Sequence, residues 1–171
     1  MDNDMNLELA IDSDAQAISE LINLAYRGGG GWTTEKGIVV GERCTENDIR
    51  TSISSNNSVF LLCKSASVIQ ACISIQIEGT QAYIGSFAVN PILQNTGLGK
   101  AMLKGAEEYS LSSFSIKKFV MVVLSNRVEL IKFYERRGYQ RTGNIRAYPK
   151  GLNVGTPIDP CLTIEDLVKT T

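Results

Sequence analysis

Apolar and polar positions alternate in two rhythms along this chain. A spacing of three to four marks helices, and a spacing of two marks strands. Leu7 to Ile11 alternates and predicts a first strand. Ser13-Asp14-Ala15-Gln16 has the form of a capping box, and Ile18, Leu21, Ile22 and Ala25 then mark one face of a helix ending near Arg27. Four glycines, Gly28 to Gly31, break it, and Trp32-Thr33-Thr34-Glu35 follows. Thr45-Glu46-Asn47-Asp48 predicts a second helix, running to about Ser54.

Val59 to Lys64 reads as a strand. Ala71, Ile73, Ile75 and Ile77 alternate with polar or small residues up to Glu78, which predicts a strand with one apolar face. Gly79-Thr80 turns the chain, and Gln81 to Val89 returns as the next strand. A helix then carries Leu98, Met102, Leu103, Ala106 and Tyr109 on one side and ends by about Ser115. Lys117 to Leu124 predicts a strand buried on both faces. Asn126 and Glu129 form an Asn variant of the capping box, ahead of a helix built on Leu130, Ile131, Phe133 and Tyr134 and ended by Gly138. Tyr139 to Ala147 predicts a strand, 149–160 a long loop, and Cys161 to Val168 a last strand. The order β-α-α-β-β-β-α-β-α-β-β implies an α/β chain with a mixed, mostly antiparallel sheet flanked by helices.

Composition narrows the chemistry. At 171 residues, 43% apolar and 20% charged, the whole of 1–171 is expected to form one folded domain. A net charge of −1 argues against a nucleic-acid partner. There is no histidine, so no imidazole base, nucleophile or metal ligand. Cys44, Cys63, Cys72 and Cys161 show no C-x-x-C spacing, so buried free thiols are expected rather than a metal site or disulfides. The acidic start, MDNDMNLELAID, carries no apolar signal region, and the longest apolar run, Phe119 to Leu124, is too short to cross a bilayer. A cytoplasmic protein with no membrane partner, monomer or homodimer, is the expectation.

The stretch from Tyr83 to Gly105 holds the candidate chemistry. Pro91 stops the strand, and Gln94-Asn95-Thr96-Gly97-Leu98-Gly99 leads into a helix whose first N–H groups suit phosphate. A Walker A loop would need glycine at Gln94 and Ser or Thr at Ala101. A dinucleotide fingerprint would need glycine at Met102. A nucleotide-binding protein of either type therefore conflicts with the spacing. The arrangement Q-x-x-G-x-G, with Val89-x-Pro91 upstream, instead resembles the acyl-CoA-binding motif of the GNAT N-acetyltransferase superfamily. Ser125 to Tyr139, SNRVELIKFYERRGY, resembles the superfamily's other signature: an Asn at a strand end, then a helix ending in F-Y-x-x-x-G-Y. The element order matches too. The Gly-Trp-Thr-Thr-Glu stretch resembles a loop of uncharacterised bacterial members, which fixes no substrate.

The resemblance implies acetyl-CoA as cofactor and an N-acetyltransferase acting on a primary amine of a small molecule or peptide. It implies that strand 81–89 splays from strand 117–124 and that pantetheine lies in the gap. Phe87, Ala88 and Val89 would pair with it, and an N–H near Ala88 or Val89 would meet the thioester oxygen. Pyrophosphate would sit on N–H groups from Gln94, Asn95, Thr96, Gly97, Leu98, Gly99 and Lys100. Gln94 departs from the Arg common at this place, so binding leans on backbone donors and on Lys100 and Lys104. Asn126 would meet the pantetheine arm or simply cap its helix. Phe133 would pack on the cofactor or in the core. Tyr134 would protonate the leaving thiolate, or fill the core. Arg136 and Arg137 read as a solvated face. With no imidazole to activate a Cys, direct attack by the amine in a ternary complex is favoured. Glu35, Glu42 and Glu78 are candidate bases. The Trp32 loop with Glu35, Tyr83 and the 146–160 loop are candidate acceptor walls. The competing reading is a catalytically silent acyl-CoA sensor or interaction module.

Overall fold

The computed structural model describes residues 5–171, and the start of the acidic segment, 1–4, lies outside the described residues. In chain order the elements are β1 (Leu7–Leu9), a 3-10 turn (Asp12–Asp14), α1 (Ala15–Arg27), β2 (Val39–Val40), α2 (Glu46–Ser54), β3 (Ser58–Ser65), β4 (Val68–Glu78) and β5 (Gln81–Val89). A second 3-10 turn (Pro91–Leu93) precedes α3 (Leu98–Phe114), β6 (Lys118–Leu124), α4 (Val128–Glu135), β7 (Gln140–Ala147), β8 (Thr156–Pro157) and β9 (Thr163–Thr170). Seven strands form one sheet in the order β1-β3-β4-β5-β6-β9-β7. Among the described residues, only β5 and β6 run parallel.

Strand alternation sorts the side chains between two cores. Ala71, Ile73 and Ile75 of β4 face Met102, Leu103 and Ala106 of α3, together with Ile131 and Tyr134 of α4. Cys72, Phe60 and Leu62 point the other way, against Ile18, Leu21 and Ile22 of α1 and Ile49 of α2. Each of these larger side chains gains about 1.5–3 kcal/mol by leaving water, so the patterns read from the sequence set which face each helix covers.

The caps differ from the sequence expectation at two of three helices. Thr45 and Asp48 do close a capping box: the Thr45 N–H donates to Asp48 Oδ2 at 2.7 Å, and the Asp48 N–H to Thr45 Oγ1 at 3.2 Å. Ser13 caps nothing. The chain enters α1 through the 3-10 turn, where the Ile11 N–H donates to Asp14 Oδ2 at 3.0 Å. At α4 the cap position is Arg127, with no side-chain cap bond, so Asn126 is not the cap either. The 149–160 segment is not wholly loop, since β8 within it pairs antiparallel with β2. The thiols are not uniformly buried: Cys44 and Cys72 are, Cys63 is partly so, and Cys161 is exposed.

Candidate active site

Two breaks in the sheet open the site. The first lies in β5. Cys72 pairs with Ala88 but Ser74 pairs with Gly85, so β5 holds one extra residue there, a bulge. Ser86 takes it up with a φ of 41°, and the strand beyond is re-aimed. The second is the ladder between β5 and β6. It runs over Gln81–Lys118, Ala82–Phe119 and Tyr83–Val120 and then stops. Beyond Tyr83 the two strands part, and a cleft of about 400 Å³ lies at the parting.

Phe87, Ala88 and Val89 form one wall of this cleft, and Leu130, Phe133 and Tyr134 of α4 form the other. Strand geometry orients the Val89 amide. The Asn90 N–H donates to the Gln70 carbonyl at 2.8 Å, so Val89, one residue back, turns its N–H and C=O away from β4. Its carbonyl is met on that side by Gln94 Nε2 at 3.3 Å. Its N–H therefore faces the gap.

Asn95, Gly97, Gly99 and Lys100 form the floor. Gly97 has a φ of 92°, in the left-handed region, and caps α3. Among the described residues nothing accepts a hydrogen bond from the N–H groups of 95–100. Such a row of free donors at the start of a 17-residue helix favours an anion. Arg136 and Arg137 also line the cleft. Arg136 is exposed, as expected of a solvated face, whereas Arg137 is partly buried. Arg137 lies 3.5 Å from the centre of the Phe133 ring and donates through one terminal nitrogen to the Phe133 carbonyl. Its Nε is buried and has no partner among the described residues. Free amides, an orphaned guanidinium nitrogen and a cleft of about 400 Å³ fit a polyphosphorylated ligand with a long arm.

Tyr134 is buried, with its edge toward the Phe133 ring, centroids 5.4 Å apart. Its hydroxyl bonds to no described residue. Burial, reinforced by Tyr26, pushes its pKa above the ordinary tyrosine value of 10.0, against the pull of Arg127 and Arg137. The phenol stays a proton donor.

The far end of the cleft is walled by Ala25 and Tyr26 of α1, Trp32, Thr33 and Arg127. Arg127 reaches Thr33 Oγ1 at 3.1 Å and Glu35 Oε1 at 3.4 Å. The other oxygen of Glu35 is held by Arg27, which also bonds the Gly41 and Val154 carbonyls. Burial lowers the pKa of both guanidiniums. Trp32 stacks at a tilt on Phe133, centroids 6.0 Å apart.

A model of the acetyltransferase (GNAT) family matches residues 16–139. The chain belongs to the GNAT acetyltransferase family. A search of the curated proteins finds no match. Among solved structures the fold is similar to the ribosomal-protein-S18-alanine N-acetyltransferase from Escherichia coli, with a TM-score of 0.72 at 16% identity over 96% of this chain and 92% of that one. The PaiA N-acetyltransferase from Thermoplasma acidophilum, solved in complex with coenzyme A, gives 0.71 at 17% identity over 98% and 100%. A variant of the spermidine N-acetyltransferase from Vibrio cholerae gives 0.71 at 14% over 96% and 94%. At these identities the likeness carries the fold.

Within this GNAT chain the expected residues divide. Phe87, Ala88, Val89, Gln94, Asn95, Gly97, Gly99, Lys100, Phe133, Tyr134 and Trp32 meet at the cleft. Thr96 and Leu98 belong to the same loop, but the Thr96 hydroxyl donates to the Leu93 carbonyl and Leu98 packs on the core. Asn126 is exposed and off the cleft, and its neighbour Arg127 takes that place. Lys104 points to solvent beside Glu108. Glu78 and Tyr83 lie toward the opposite end of the hairpin. Glu78 pairs with Gln81, eight residues from Val89, or about 26 Å of strand. Glu42 is exposed away from the cleft. Glu35 does not line the cleft: it lies buried between Arg27 and Arg127, and a carboxylate so held is a poor base. The 146–160 loop reaches the site only indirectly, where the Val154 carbonyl holds Arg27.

Sequence reasoning assigned Tyr26 and Arg127 no role in the site, while Thr33 lies in the Trp32 loop expected as an acceptor wall. Tyr26 follows Ile18 and Ile22 at a spacing of four, so the apolar stripe of α1 already pointed to it. Arg127 had a signal as well, being a charge three positions past Leu124, the end of a buried strand.

Proposed function

We propose that this chain, read over 1–171 as one catalytic domain, is an acetyl-CoA-dependent N-acetyltransferase that acylates a primary amine by direct attack in a ternary complex. The observation that carries this reading is the parting of β5 from β6 beside free amides, with the Val89 N–H turned to the gap and Tyr134 lining it. Bound acetyl-CoA would supply an activated acyl group. The N–H groups of 95–100, Lys100, Arg136 and Arg137 would hold its phosphates. Phe87 to Val89 and Phe133 would line its arm.

The Val89 N–H would donate to the thioester oxygen as negative charge grows there, a contact stronger in the transition state than before it. Tyr134 would give its proton to the departing sulfur. Among the described residues no carboxylate lines the cleft, so the amine would lose its proton to water rather than to a side chain.

The test is thiol release from acetyl-CoA by purified protein over a panel of amines. Amine-dependent release is expected. Stabilisation by coenzyme A with no turnover on any amine would support a silent acyl-CoA sensor instead.

A further inference from the structure

The far end of the cleft has a charge imbalance that the acetyl-transfer reading does not use. Arg127 is buried, its side chain 8% exposed, and shares the single carboxylate of Glu35 with Arg27. Both guanidiniums therefore lean on one anion. A third, Arg43, sits 5.4 Å from the Tyr26 ring centre and has no ion pair among the described residues. The Tyr26 hydroxyl also has no hydrogen-bond partner there. Among the described residues no aspartate or glutamate lines the cleft, while Arg127 does.

A buried cation with less than its share of negative charge is costly, and an anion arriving at the cleft would relieve it. A polycationic acceptor would meet the opposite: a wall of like charge with no carboxylate to receive its ammonium groups. Arg127 is set apart from Lys100, Arg136 and Arg137. Those three stand by the phosphate loop and the end of α4, whereas Arg127 stands at the start of α4, against the Thr33 side. Burial lowers the Arg127 pKa, with Tyr26, Tyr134 and Glu129 pulling the other way.

Resting on the acetyltransferase reading above, we propose that the acceptor is a small amine that carries a carboxylate, an amino acid in the broad sense. Arg127 and the Tyr26 hydroxyl hold the carboxylate, and the amine is left facing the Val89 end. The amine, its ammonium proton already given to water, bonds through nitrogen to the thioester carbonyl carbon; the carbon–sulfur bond breaks, sulfur takes the Tyr134 proton, and the further proton that the nitrogen then sheds returns to Tyr134 through water. The carboxylate is untouched and serves to position.

The experiment compares matched acceptors at saturating acetyl-CoA: amino acids, their α-amides, the corresponding decarboxylated amines, and spermidine. The acid should exceed its amide in kcat/KM by about 10- to 100-fold, the worth of a charge-assisted hydrogen bond. Arg127→Gln should bring that ratio close to one, and Arg127→Lys should keep part of it. A merely structural role would lower all acceptors together. Tyr26→Phe, which leaves the ion cluster intact, should narrow the ratio even where Arg127→Gln fails to fold.

Equal use of acid and amide, or a preference for spermidine, would overturn the proposal and leave the acetyltransferase reading standing. A second arm titrates an N-acetyl amino acid and its amide into the protein–coenzyme A complex by calorimetry. If no amine is acetylated, the acetyltransferase reading falls, and this arm decides alone. Tighter binding of the acid supports the carboxylate subsite, and equal or absent binding removes it.

Discussion

The Gln94 side-chain oxygen accepts the Trp32 backbone N–H at 2.5 Å. The same side chain donates to the Val89 carbonyl, so Gln94 ties the glycine-rich loop to the end of β5. The fit is close: a Cβ on Gly31 would come within 2.9 Å of the Gln94 oxygen. Where the resemblance leads one to expect an arginine for phosphate, this chain has a clamp. Gln94→Ala should raise the acceptor KM several-fold and cost about 1 kcal/mol of stability, with little change in acetyl-CoA affinity. Initial-rate kinetics against each substrate and a denaturant titration check this. Loss of acetyl-CoA affinity alone would mean that Gln94 contacts the cofactor.

Tyr134→Phe should retain acetyl-CoA binding and lower kcat by about 10²-fold or more, the usual worth of a placed proton donor. Because burial raises the pKa of this tyrosine, the wild-type rate should show no alkaline decline from its ionisation as the pH approaches 10. A pH–rate profile of both proteins is the check. An unchanged kcat would take Tyr134 out of the acid role.

Glu35→Gln removes the one anion between Arg27 and Arg127 and leaves two buried cations facing each other. The expected loss is about 3–5 kcal/mol, or roughly 10 °C in Tm for a chain of this size. Thermal unfolding reads it. A normal Tm with abolished turnover would restore Glu35 as the base.

Gly97→Val forces a branched side chain into a φ of 92°, although the space around it is open. Strain of about 1–2 kcal/mol should fall on the loop rather than on the core. Acetyl-CoA affinity should drop while far-UV circular dichroism is unchanged. Full affinity would place the phosphates elsewhere.

Buried thiols set an alkaline limit to stability. Burial raises Cys44 from 9.0 to about 11 and Cys72 from 9.0 to about 12. Below pH 9 both are neutral, folded and unfolded alike. Above it the unfolded chain releases protons that the folded chain keeps, so stability should fall from pH 9 through about 12. Denaturant midpoints across that range test this, and a flat profile would contradict it.

Helix faces and the order of the longer elements along the chain were legible because each element is a local rhythm. Ala71, Ile73 and Ile75 had to share a face, and Met102 and Ala106 had to meet them. The Gln94–Gly99 loop was legible from its glycines and its offset from Pro91. The bulge at Ser86 was not, since one extra residue in a strand leaves its composition unchanged. Nor was the Arg27–Glu35–Arg127 cluster, which joins positions 92 residues apart. Asn126 misled for a related reason. It has the right residue type for a cap, but the cap falls one position later, and it is Arg127 that turns inward.

Among the described residues, the three rungs from Gln81 to Tyr83 are the sole ladder between β1-β3-β4-β5 on one side and β6-β9-β7 on the other. The sheet is thus two plates joined by a narrow isthmus. Swivelling about it would widen or narrow the crevice without undoing a backbone bond inside either plate, so the stiffness of those three pairs, together with the core of α3 and α4 packed across both plates, sets how easily a bulky guest gets in and out.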